Sequence, residues 1–504
     1  MSVPAARKRL LTARTATTYP RASMLNRFLR VALAAFALAG TSLIAAASPA
    51  RADDPPLVLM GMPTGYTDVA DAVDDDDPFD LNLSLAFERT VTQGTIQREA
   101  PDLALPGVTV PPVGGSCDST GCYASPGAQR YDDIADSRML TNTLVLGLDV
   151  GLYHDLMVYG RLPLVLSDDR SLRGVTGGVP ADEVSVPFVS PTRSGVDTVN
   201  VGLAWAITNQ FRQSWLPTWV IMVEGRLSVG APLRACSKAP ADGSTTNCRA
   251  TYDASGVPSS YTGDGGISRG TNGLRFETRG SHRYRYLEPY AGLAFQIEWP
   301  AASDRFFVPS GDVAGIVNTI PPLHPEATIG LAIIPWEQRA RYQRFTIDLR
   351  GTFEYFSEGR SWSPLFDALG TSALPALTEP GCENAHATTA ECAASTDRKG
   401  YMYGLTDTQS HARLGGNIGV EMQAARYVKF GFNVGLAYTT AHMLSFADAC
   451  NPNFTPEAGD PRQGNCRSGI INPNYRETID LAGRRFRLES ALTFSLSAAI
   501  TAQF

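Results

Sequence analysis

The chain has 504 residues and a formal net charge of −7, a sign that argues against a nucleic-acid partner, since such partners are met by basic surfaces. Only one long apolar run occurs, close to the N-terminus, which excludes a bundle of membrane-spanning helices. A membrane β-barrel stays open, because its alternating strands average their hydropathy away.

Arg27 and Arg30 precede a largely apolar stretch from Val31 to Ala47, and Ala50-Arg51-Ala52 offers a small-residue cleavage site before Asp53-Asp54. Residues 1–52 therefore read as a secretory signal peptide, with Met24 as the more ordinary start. A single transmembrane anchor is the alternative, and the shortness of the run counts against it. Residues 53–78 lack periodicity, carry the run Asp74 to Asp77 and read as an acidic periplasmic tail. Four carboxylates in a row could hold calcium, but a charge run is more often solvated, and no metal site is assigned.

From residue 79 the period changes to two. Phe79, Leu81, Leu83, Leu85 and Phe87 alternate with Asp80, Asn82, Ser84, Ala86 and Glu88, the pattern of a strand with one apolar face. The same alternation returns over 140–152 and 156–166, where Pro163 predicts a local bulge. It continues over 198–207, 219–229 and 287–299, and again over 327–336, 344–355, 411–422 and 428–438. A polar insert is read over 233–282. The last stretch, Phe486 to Phe504, places Phe486, Leu488, Leu492, Phe494, Leu496 and Ile500 on one face and Arg487, Glu489, Thr493, Ser495 and Ser497 on the other. It is longer than the 9–11 residues a membrane strand needs. A soluble β-sandwich strand is the bland alternative.

The connections after 152, 207, 336 and 422 are short, whereas those after 97, 166, 230, 356 and 440 are long and polar. A membrane barrel has that asymmetry, with short periplasmic turns and long outer loops. Strand parity then demands a rising strand between 283–299 and 327–336, and the segment 303–322 is its candidate. The count becomes twelve.

Ending on Phe504 after alternating apolar residues, the chain resembles Gram-negative outer-membrane β-barrel proteins. The resemblance covers about 79–504 and is generic to such barrels, with Ala502 standing where an aromatic is often found. It implies an all-β, up-and-down antiparallel barrel in the outer membrane with Phe504 as the assembly signal. It also implies outer-membrane lipid and lipopolysaccharide, the barrel-assembly machinery during insertion, and small solutes as partners, without a cofactor.

Eight cysteines fall in pairs within single loops: Cys117 with Cys122, Cys236 with Cys248, Cys382 with Cys392, and Cys450 with Cys466. Intra-loop disulfides are expected, because neither a Cys-x-x-Cys nor a zinc spacing occurs. His411 and His442 fall near the outer ends of strands and have Ser410 and Ser445 nearby, but no recognisable arrangement with a carboxylate, and no catalytic residue is assigned. The chemistry on offer is in the inward positions. Glu88, Asp149, Arg161, Glu224, Arg226, Glu288, Glu298, Arg344, Asp348, Arg350, Glu354, Arg413, Glu421, Lys429, Arg487 and Glu489 are the candidate lumen-lining residues. Inward glycines leave room for bulky neighbours, and Tyr284, Tyr286 and Tyr290 could stack a sugar or an apolar solute or form an aromatic girdle. A passive channel for small solutes is the leading reading. A sealed structural or adhesive barrel is the alternative, and an outer-membrane hydrolase comes third.

Overall fold

The structure, a computed structural model, describes residues 64–70, 80–100, 116–118, 121–123, 130–238, 246–252, 258–262, 264–301, 315–338, 341–374, 377, 402–425, 427–454, 466 and 469–504. The expected signal peptide lies outside the described residues. Twelve antiparallel strands close one barrel: β1 (Leu81–Ala100), β2 (Arg130–Tyr153), β3 (Leu156–Gly174), β4 (Thr198–Thr208), β5 (Thr218–Ser228), β6 (Thr271–Ser281), β7 (Leu287–Pro300), β8 (His324–Gln338), β9 (Gln343–Phe356), β10 (His411–Ala425), β11 (Val428–Thr439) and β12 (Phe486–Gln503). Each pairs with the next, and β12 returns to β1, from Asn82 opposite Gln503 to Arg98 opposite Phe486. At the foot of this seam Leu81 and Phe504 exchange backbone hydrogen bonds of 3.1 and 2.9 Å. Closure leaves no edge strand, so the ladder satisfies the backbone donors and acceptors of every spanning segment internally.

The pleat sorts side chains by face. On β8 Thr328 is 8% exposed and its neighbour Ile329 is 70% exposed. Leu83, Leu85, Phe87, Trp205, Ile418, Phe430, Phe432 and Phe494 share the outer surface. That surface is apolar, and the alternate positions turn Asp, Glu, Arg, Ser, Thr and Gly into the lumen, as period two demands.

The count of twelve agrees with the sequence reading, but the strand missing from that reading is β6. It lies inside the supposed polar insert and pairs with β5 on one side and β7 on the other. Its outer face offers two large apolar residues, Leu274 and Phe276, against an inner face of Arg275, Glu277 and Arg279, so charge hides the alternation. The strand at 287–300 consequently runs upward from the short turn 282–286. It pairs directly with β8, and nothing stands between them. Residues 303–314 of the expected rising segment lie outside the described residues, and 315–322 form no strand.

Two irregularities fall elsewhere than the sequence pattern places them. The bulge near Pro163 falls at Leu166, and pairing to β4 ends at Arg161 opposite Asn200, so the missing proline N–H interrupts no bond on that side. In β12, Glu489 is skipped between Ser490 opposite Thr95 and Leu488 opposite Ile96. A bulge inverts the alternation beyond it. Phe486 and Leu488, expected on the outer face, are buried inward, and Arg487 lies instead beside Gln97 and Tyr131. Arg487 and Glu489 therefore leave the set of lumen-lining candidates.

Above the bulge the outer loops fold into a cap. Its apolar core gathers Ile96, Ile134, Leu172, Leu365, Leu369, Leu377, Leu444, Ile479 and Phe486. In the short helix α1 (Phe366–Gly370), Asp367 accepts hydrogen bonds from Arg193 (3.0 Å), Ser190 (2.7 Å) and the backbone N–H of Cys236 (3.0 Å), which ties three loops together. Disulfides join Cys236 to Cys248 and Cys450 to Cys466, as expected. Cys117 and Cys122 stand opposite each other in a short hairpin, and Cys382 and Cys392 lie outside the described residues.

The new strand order fixes which turns face the periplasm. With Arg285→Cys in the 282–286 turn, a membrane-impermeant thiol reagent should leave intact cells unlabelled and label the site once the outer membrane is permeabilised. Labelling of intact cells would reverse β6 and β7 and contradict the order.

Candidate functional site

The lumen is not empty at its lower end. Residues 64–70 enter it and are held by several strands. The backbone N–H of Thr64 donates to both oxygens of Glu288 on β7 (3.3 and 3.1 Å). The Thr67 and Ser281 hydroxyls meet at 2.7 Å. Asp68 pairs with Lys429 of β11 at 2.8 Å, and the N–H of Ala70 points at the Met157 sulfur of β3 at 3.4 Å. Tyr66 lies between these anchors. Its ring stacks on Tyr290 with centroids 4.3 Å apart, and the guanidinium groups of Arg279 and Arg350 stand 4.8 and 5.1 Å from its centroid. Offset stacking and a cation over the ring face each favour this arrangement. Part of the segment expected as a tail thus occupies the lumen.

Beside it remains a chamber of about 600 Å³. Its lining carries five acidic groups, Asp68, Asp149, Glu224, Glu277 and Glu421, and five basic ones, Arg161, Arg226, Arg275, Arg279 and Lys429. Most are paired, within one strand or across one or two ladders. Arg161 binds Asp149, Arg279 binds Glu277 at 2.6 Å, Arg275 reaches Glu326 at 2.8 Å, and Arg226 reaches Glu298 at 3.5 Å.

Of the candidates read from the sequence, Asp149, Arg161, Glu224, Arg226, Glu421 and Lys429 line this chamber. Asp348 and Arg350 join Tyr290 on the next wall: the tyrosine hydroxyl donates to Asp348, and Arg350 Nε donates to that hydroxyl at 3.1 Å. Higher up, Glu354 accepts from Arg413 Nε at 2.9 Å and contacts the His324 ring at 2.8 Å. Glu288 is fully buried beneath Thr64, and Arg344 faces Glu421 at 3.6 Å. Glu88 keeps the inward parity of β1, opposite Thr143 and Ser497. Arg275, Glu277 and Arg279 were missed because their strand was missed.

Two inward glycines serve the expected purpose. A Cβ at Gly292 would lie 2.0 Å from the Tyr66 hydroxyl, and one at Gly330 would lie 2.2 Å from the Tyr290 ring, so both rings lie against a recessed wall. Tyr284 and Tyr286 are exposed around the 282–286 turn, in keeping with a girdle. At the outer rim His324, Phe356, His411 and His442 stack in succession, with centroids 4.4, 4.8 and 3.7 Å apart. The Ser445 hydroxyl donates to the Ile479 carbonyl and accepts from the N–H of Phe486, which gives it a place in the cap.

No protein-family model and no curated protein matches the chain. Among solved structures it is similar to an outer membrane channel from Pseudomonas putida F1 (8% identity, 86% of this chain and 100% of that one, TM-score 0.32). It is also similar to a Pseudomonas aeruginosa FadL homologue (8%, 84% and 90%, 0.29) and to the Escherichia coli outer membrane protease OmpT (6%, 84% and 97%, 0.23). These neighbours are Gram-negative outer-membrane β-barrels. The assignment rests on the chain's own geometry: a closed barrel with an apolar exterior and a polar lumen is the form that strands take in lipid. The protein is a closed, twelve-stranded antiparallel β-barrel of the form that crosses a membrane.

Asp480 is a cap group whose ionisation reports on the 440–485 loop. Asp480, in the turn of helix α2 (Glu477–Asp480), accepts from the N–H groups of Arg476 (2.8 Å) and Ala447 (3.2 Å). Burial nevertheless pushes its carboxyl up to about 7. The folded loop therefore holds a proton that the unfolded loop releases from about pH 4 upward. The stability this contributes is complete below about pH 4 and is lost as pH rises through the folded value near 7. Proteolysis within 440–485 should accelerate from pH 5 to pH 8, corrected for the protease's own profile, and Asp480→Asn should flatten that rise. An Asn variant with the wild-type pH dependence would contradict the assignment.

Proposed function

We propose that this barrel is a passive channel for small polar solutes and that the chamber beside residues 64–70 is its selectivity region. The observation that carries the reading is the charge-lined space itself. Eight strands give an interior that side chains fill, and sixteen or more leave an open aqueous channel; twelve fall between. Here the side chains on one side of the lumen leave about 600 Å³ unfilled. A lining of five acids and five bases presents little net field, so anions and cations pass on similar terms. The packed outer cap favours a second reading, a structural or adhesive barrel with a sealed lumen. No catalytic residue is assigned in either.

Planar bilayers separate the two. Reconstituted protein should show conductance steps with an anion-to-cation permeability ratio near one, and Arg275→Gln with Arg279→Gln should shift the reversal potential toward cation preference. Neither conductance nor solute flux from liposomes, before or after reduction of the loop disulfides, would overturn the channel reading in favour of the sealed barrel.

A further inference from the structure

We infer that the slot filled by Tyr66 is a binding site for uncharged, hydroxylated aromatic solutes, occupied in this state by the chain's own phenol. As an account of what the channel handles, this rests on the channel reading; as an account of binding, it stands on the slot alone.

The slot is built for a flat ring. Tyr290 forms one wall at stacking distance, and the guanidinium groups of Arg279 and Arg350 stand over the ring that fills it. Gly292 supplies the recess for the phenol oxygen, since any Cβ there would overlap it. Thr328 provides a hydrogen-bond partner for that oxygen. The wall is shaped around a substituent no larger than a hydroxyl.

The charge arrangement narrows the class further. Arg279 is already neutralised by Glu277 at 2.6 Å, and Arg350 by Asp348 at 2.9 Å. The slot therefore offers the faces of two cations without an uncompensated positive charge. A cation face attracts the quadrupole of a neutral ring, whereas a carboxylate would meet the two acids and would lose hydration without gaining a free partner. Saturated rings have the size but lack the π face.

The occupant is positioned to exchange. Tyr66 lies in a turn rather than a strand, is attached through a few polar contacts, and borders the open chamber. A tethered phenol competes with a dissolved one at a high effective concentration, so the slot is masked in the intact protein and becomes accessible when the segment leaves it.

The test uses the full-length protein in nanodiscs, with 4-fluorophenol as the probe and its fluorine line width as the readout against empty nanodiscs. Tyr66→Ala should bind 4-fluorophenol at least tenfold more tightly than wild type, and at least tenfold more tightly than it binds 4-fluorobenzoate. Unlabelled phenol should displace the probe and cyclohexanol should not. Adding Gly292→Leu to Tyr66→Ala should abolish binding; Gly292→Ala replaces it if the leucine variant loses the heat-modifiable mobility of a folded barrel. Equal broadening in wild type and Tyr66→Ala, or binding that survives the substitution at Gly292, would overturn the slot. Binding without conductance would overturn only the channel reading, and conductance without binding would overturn only this one.

Discussion

Every feature of this molecule depends on the seam between β1 and β12. Lipid offers no partner to an unpaired N–H or C=O, so a sheet can cross it only when its edges meet. The pairing of Asn82 with Gln503 and of Arg98 with Phe486, together with the backbone exchange between Leu81 and Phe504, makes that closure. Once the sheet is closed, period two requires one face to be apolar and the other to be available for charge. Arg161 and Asp149 are drawn together because inward positions are near neighbours across a ladder, while Arg275 reaches over β7 to Glu326.

The lumen then poses a packing problem that a barrel of this size cannot solve with wall residues alone. On one side it is solved by size contrast: Tyr290 lies over Gly330, and Tyr66 lies over Gly292. Part of that filling comes from the chain itself, through residues 64–70. The other side is left as the chamber, and its charges are paired rather than free. Pairing limits what burial costs them, since a buried charge without a partner is expensive. It also leaves the chamber with no strong preference for sign.

The barrel was legible in the sequence because a long unbroken alternation of apolar and polar residues fits a strand with one apolar face and does not fit a helix. Leu81 to Phe87 and Val428 to Tyr438 announce themselves in this way. β6 does not, because Asn272, Thr278 and Gly280 dilute its outer face and three charges dominate its inner one. The one signal present was the alternation of Arg275, Glu277 and Arg279 with Leu274, Phe276 and Thr278. Parity required a twelfth strand and could not say where it lay. The bulge at Glu489 was invisible, since a skipped residue leaves the letters unchanged and shows only in pairing. The lodging of Tyr66 in the lumen was also hidden: a turn of mixed polarity carries no periodicity, and its partners Tyr290, Arg279 and Lys429 lie more than two hundred residues away in the chain.

The central claim is that residues 64–70 occupy the lumen against β6, β7 and β11 and thereby narrow it. Coupling the Asp68 carboxylate to the Lys429 amine with a zero-length carbodiimide tests it most directly, because the two groups meet at 2.8 Å. The account predicts an amide cross-link within one chain that is lost in Lys429→Gln, and a larger conductance in a variant lacking residues 64–70 than in the wild type. A folded wild-type barrel that forms no such cross-link, or a deletion that leaves conductance unchanged, would contradict it.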